Sequence, residues 1–119
     1  MADDWMLEYV GKGYRQDATG PEKWGCWELC VEIKQRQGVR IPSSLFGWRR
    51  ILRRLQSGEA PRKFDIVLFS DPETKIVVHA GTMFNEVDML HSAPEFGGVV
   101  LDRLSRYPKH VRAIVRHDP

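Results

Sequence analysis

Two cysteines and four histidines carry most of the reactive chemistry available to this 119-residue chain. Cys26 lies in Trp24-Gly25-Cys26-Trp27-Glu28-Leu29-Cys30, where a Gly- and Pro-containing segment gives way to a helical apolar pattern. Backbone N–H groups at a helix start are unpaired, and the helix dipole adds partial positive charge there. A thiol at that point ionises more easily, and the thiolate is the nucleophile. His79 and His91 are equidistant from Asn85, which sits among turn-compatible residues between two apolar stretches. A hairpin centred on Asn85 places the two histidines opposite each other, with Cβ atoms about 4.5–5.5 Å apart. Such a set supplies nucleophile, general base and orienter for acyl transfer. Cys26, His79 and His91 also make a three-ligand zinc set with an open position, a rival that elemental analysis separates. A structural role for all three is the third reading of the same residues.

Cys30 shares the apolar helix face one turn on, and is expected to be a core thiol. A disulfide across one helical turn strains both backbone and bridge, and two cysteines fall short of a four-ligand zinc site. His110 and His117 read as surface residues, and Asp65 as a strand start without chemical role.

The elements that have to position these groups follow from periodicity. Asp3 and Asp4 cap a short helix from Trp5 to Val10. Cys26, Leu29, Cys30 and Ile33 fall at i, i+3, i+4 and i+7, with Glu32, Lys34, Gln35 and Arg36 on the outer face. Gly38 stops that helix. Ser43 or Ser44 caps a third helix whose Leu45, Trp48, Leu52 and Leu55 face inward. Its Arg49, Arg50, Arg53 and Arg54 make either a solvated face or a docking patch for an anionic surface. After Gly58 the period changes, and strands are expected at Phe64–Ser70, Lys75–Met83, Met89–Ser92, Gly98–Leu101 and Val111–Arg116. Helices first and antiparallel strands after define an α+β fold in one domain, residues 1–119.

Composition excludes other classes. A net charge of +2 is too small to demand nucleic acid, and no nucleic-acid motif is present. No apolar run is long enough to span a bilayer. Met1-Ala2-Asp3-Asp4-Trp5 carries acids where a secretory signal has basic residues, so synthesis in a cytoplasm without a signal is expected.

In order along the chain stand Tyr14, twelve residues before Cys26, and the Trp24–Leu29 box. Phe64-Asp65-Ile66-Val67-Leu68-Phe69, His79-Ala80-Gly81-Thr82-Met83 and His91-Ser92 follow. This series resembles the NlpC-type cell-wall cysteine peptidases, papain-like domains that hydrolyse peptide stems of bacterial peptidoglycan. Trp24, Trp27 and Ile41-Pro42-Ser43 are similar to the phage-tail branch. The resemblance implies Cys26 as nucleophile, His79 as base and His91 as its orienter. It further implies Tyr14 at the site, and no metal or organic cofactor. Trp24 and Trp27 read equally as core residues or as tryptophans flanking a cleft to hold substrate. The implied partners are peptidoglycan stem peptides and phage tail proteins, and the implied location is a virion tail or the cell-wall compartment.

Two residues depart from the family pattern. Gly25 stands where many members have Asp, and Glu28 where most have Gly. A carboxylate near a thiol opposes ionisation, although the helical spacing is expected to turn Glu28 away from the sulfur. A tail-tip component that keeps the fold without activity is therefore the alternative. Faster alkylation of Cys26 than of Cys30 separates the two.

Overall fold

The structure, a computed structural model, describes residues 4–118. Its strands are β1 (Gly13–Tyr14), β2 (Lys23–Trp24), β3 (Arg53–Arg54) and β4 (Ile66–Ser70), followed by β5 (Val77–Met83), β6 (Asp88–Ala93), β7 (Gly98–Arg103) and β8 (Val111–Arg116). They form one sheet in the order β2-β1-β7-β6-β5-β4-β8-β3. Among the described residues only β1 and β2 pair in parallel. One α-helix, α1 (Cys26–Arg36), packs against β5 and β6, which makes the α+β architecture expected from the sequence. Among the described residues no helix is long and apolar enough to cross a membrane.

β4 is apolar at successive positions because both of its faces are covered. Ile66 and Leu68 join Trp27, Cys30, Ala80 and Val115 on the α1 side. Val67 and Phe69 join Met83 and Met89 on the other, where Leu104 and Tyr107 close over them. A second cluster on the α1 side, Met6, Tyr9, Trp24, Leu29, Ile33, Leu90 and Val99, ties the amino-terminal turn to β6 and β7. α1 is thus clamped along its length, with its first residue held at the sheet.

Several elements differ from the periodicity. Trp5–Tyr9 is a 3-10 helix capped by the Asp4 side chain, which accepts from the Met6 N–H at 3.0 Å; Asp3 lies outside the described residues. The expected helix through Leu55 ends early. Leu45–Arg50 is a 3-10 helix capped by Ser44, and Arg53 and Arg54 then pair with Arg116 and Val115. That pairing covers the β8 edge, while Trp48 and Leu52 still reach the core. Arg53 bridges to Glu59 at 2.7 Å and also to Asp118. Lys34, expected on the outer face, is buried and donates from Nζ to the Phe64 carbonyl at 2.6 Å. Asp65 is not merely a strand start: it holds buried Arg116 through two hydrogen bonds of 2.7 and 2.8 Å.

Candidate active site

The segment entering α1 is fixed from two sides. The Gly25 N–H donates to the Ala18 carbonyl at 2.9 Å, and Ser92 Oγ on β6 donates to the Trp24 carbonyl at 2.6 Å. Gly25 is the N-cap and brings no capping side chain, so Cys26 opens the helix. Cys26 lines a cleft of about 450 Å³ with Tyr14, Asp17, Glu28, Phe46 and Val78.

The thiol is harder to ionise than its helix position suggests. Burial pushes it above its ordinary value, and the Glu28 charge adds to that; the backbone N–H groups of Ala80, Trp27 and Cys26 itself pull the other way. Glu28 does not hydrogen-bond the sulfur, yet its charge is felt there. Its carboxylate folds back over the N-cap, so that a Cβ at Gly25 would collide with Glu28 Oε1. Gly25 and Glu28 are thus coupled in space, with the carboxylate of residue 28 filling the room a residue-25 side chain would take.

The histidine pair forms by a different register from the one anticipated. Asn85 Oδ1 accepts from the Val87 and Asp88 N–H groups, which moves the hairpin centre to Glu86. Thr82 then pairs with Leu90 and Met83 with Met89, a slip of two from the expected register. A two-residue slip preserves the face on which side chains point. His79 and His91 meet diagonally, with His79 Nε2 2.8 Å from His91 Nδ1. Gly81 provides the room, since a Cβ there would lie 3.0 Å from the Cβ of His91.

Beyond His91 stands a residue that sequence reasoning missed. Asp102 Oδ2 is 3.1 Å from His91 Nε2 and also accepts a hydrogen bond from the Tyr107 hydroxyl. Arg106 Nε lies 3.4 Å from the other carboxylate oxygen. The signal was an acid two positions along β7 from Val100, the partner of His91, hence on the same face. Ending that strand at Leu101 hid it. Phe69, Phe96 and Tyr107 enclose the His91 ring at centroid distances of 6.0–6.2 Å.

Burial and the neighbouring His91 bring His79 down to about 4. Burial also lowers His91, against the pull of Asp102. Burial alone would raise Asp102, but hydrogen bonds from Tyr107, His91 and the Arg103 backbone hold it below the usual carboxylate range. Tyr107 is pushed up to about 12 by burial and by that carboxylate. At neutral pH the imidazoles are uncharged, and the carboxylate sets their tautomers. A carboxylate only accepts, so His91 carries its proton on Nε2 and accepts at Nδ1. His79 then donates from Nε2, which leaves Nδ1 as its basic nitrogen.

With both nitrogens of His91 engaged, the zinc reading loses a ligand. Among the described residues no three His, Cys, Asp or Glu side chains are disposed to hold a metal ion. Tyr14 lines the Cys26 cleft; burial, and then the Cys26 and Glu28 charges, raise its hydroxyl. Trp27 is among the cleft's lining residues although only 3% exposed, and its Nε1 donates to the Pro42 carbonyl at 2.8 Å, just before Ser43 and Ser44 of the same lining. Of the two readings of Trp24 the core one fits, and the substrate-holding one is not met at this cleft: Trp24 is 6% exposed and edge-on to Tyr9, and it lines the adjoining hollow with Asp17 and Glu28 rather than the Cys26 cleft. Cys30 is buried, accepts from Thr82 Oγ1 at 3.4 Å, and is pushed up to about 12 by burial. His110 is exposed and His117 half-buried.

This fold is shared with solved structures. The structure of NlpC1 from Trichomonas vaginalis superposes with a TM-score of 0.81 at 18% identity, covering 92% of this chain and 40% of that one. The structure of NlpC2 from Trichomonas vaginalis gives 0.83 at 17% identity, covering 95% and 44%. The chain thus has an NlpC-like fold and spans less than half the length of those proteins. No family model and no curated protein matches the chain.

Proposed function

We propose that the chain is a thiol peptidase of the NlpC type, cleaving peptide stems of bacterial peptidoglycan. The observation that carries this is the hydrogen-bonded series His79–His91–Asp102–Tyr107, whose His79 is the chain neighbour of Ala80, the residue whose backbone N–H reaches the Cys26 thiol at the opening of α1. Cys26 is the nucleophile and His79 Nδ1 takes its proton. Because burial keeps both the thiol and His79 neutral, deprotonation accompanies attack rather than preceding it. The Cys26 N–H offers one donor to the tetrahedral oxyanion. His79 then protonates the leaving amine, and a water deprotonated by the same imidazole hydrolyses the thioester. His91 and Asp102 hold the tautomer that this cycle uses.

The tryptophan-flanked box and Ile41-Pro42-Ser43 support a phage tail component, working on the cell wall beside other tail proteins. Digestion of purified peptidoglycan by the wild type and by Cys26→Ala, with mass spectrometry of the fragments, tests the reading. New stem-peptide fragments with the wild type alone are expected; identical digests refute it and favour an inactive tail-tip component.

A further inference from the structure

Past Phe46 the Cys26 cleft continues into a second groove of about 370 Å³, which shares Leu45 and Phe46 with it. Four cations line this groove, each from a different element. Arg49 comes from the Leu45–Arg50 turn, Arg54 from β3, Lys75 from the turn before β5 and Arg112 from β8. No carboxylate lines it, and among the described residues none of the four forms an ion pair. Arg53, between two of them in the sequence, is by contrast neutralised by Glu59 and Asp118. Arg49 and Arg54 lie over the Trp48 ring at 5.1 and 6.0 Å from its centroid, which steadies both guanidinium groups above the groove floor. The floor and rim are apolar, with Phe46 73% and Ile76 57% exposed.

The arginine group read in the sequence as one helix face is therefore divided. Half of it converges with Lys75 and Arg112 on a concave surface continuous with the reactive thiol. The cleft end is lined by Asp17 and Glu28, of opposite sign. At physiological salt exposed charges act over about 8 Å, so these cations select what is seated among them rather than what is far away. A chain lying across Cys26 with an anionic segment is repelled by the acidic end and received by the basic one.

We propose that this groove is a specificity subsite for the carboxylate-bearing side of the substrate peptide, with Phe46 and Ile76 packing on its aliphatic parts. The proposal rests on the peptidase reading of the cleft. A polynucleotide fits less well: one compact groove opening into the thiol cleft offers no extended track for a backbone.

Binding is read on Cys26→Ala protein by titration calorimetry, which is independent of cleavage. The probes are a synthetic stem tetrapeptide with free carboxylates and the same peptide with every carboxylate converted to carboxamide. The free-acid peptide is expected to bind about tenfold tighter at low salt, a preference that added salt weakens. Arg54→Glu with Arg112→Glu removes the preference and leaves carboxamide affinity unchanged. Lys75→Gln with Arg112→Gln, a milder pair, serves if the reversed pair does not fold. Equal affinity for the two peptides, or a preference that survives the substitutions, overturns the subsite. Tighter binding of a single-stranded 20-nucleotide DNA, abolished by the same substitutions, also overturns it. A preference that holds while wild type leaves peptidoglycan intact refutes the peptidase reading and keeps the groove.

Discussion

In the proposed mechanism Asp102, a carboxylate remote from the thiol, acts through the histidine pair. It touches neither the thiol nor the cleft, yet it decides which nitrogen of His79 is basic by fixing the proton on His91. An amide at residue 102 donates as well as accepts, so the tautomers are no longer determined. Asp102→Asn is expected to lower kcat on the order of a hundredfold while KM stays near wild type. A purely structural Asp102 predicts instead a loss of stability without that split, as steady-state kinetics and thermal melts together show. The residue's signal in the sequence was weak because its role needs three strands in register and a β7 that runs past Leu101. Cys26 and the two histidines stood out by residue type, whereas an aspartate near a strand end has too many ordinary explanations.

At the scale of elements, the β5–β6 hairpin carries the consequence of a single missing side chain. Gly81 faces the Cβ of His91, which is backbone-anchored and has no freedom to swing aside. Gly81→Ala is expected to cost about 1–3 kcal/mol of stability by overpacking and to lower kcat by moving His91 off His79. Urea denaturation and kinetics measure both; unchanged stability would show that the strands accommodate the methyl group. The hairpin, α1 and β8 were legible from periodicity and turn residues. The Leu45–Leu55 helix was misread because Leu52 and Trp48 are buried at a spacing that suits a helix, although a 3-10 turn followed by a strand buries them equally. Which edge a short strand will cover is a tertiary fact, and β3 exists because β8 has an edge to cover. Trp24 stays open between core and cleft in the sequence for a related reason: flanking the cysteine along the chain does not put a residue beside it in space.

The molecule as a whole carries the two buried neutral imidazoles as a pH dependence. Unfolded histidine titrates near 6.5, whereas folded His79 titrates at about 4 and His91 is lowered as well. Between those values the unfolded chain binds more protons, so stability is full above pH 6.5 and declines as pH falls toward 4. His79 contributes at most about 3 kcal/mol to that decline. Urea midpoints at pH 7 and 4.5 are expected to differ for the wild type and to draw closer together in His79→Gln; an equal difference in both would assign the acid sensitivity elsewhere. The sheet itself has a joint at the same place. Among the described residues, four strands, β2-β1-β7-β6, meet four others, β5-β4-β8-β3, through a ladder of two residue pairs, with α1 packed across both and His91 on one side, His79 on the other. The proposed base and its orienter therefore belong to different halves of the molecule. Their alignment is a gauge of how firmly the halves are joined: a slight parting along this line would separate His79 from His91 while each half still keeps its strands.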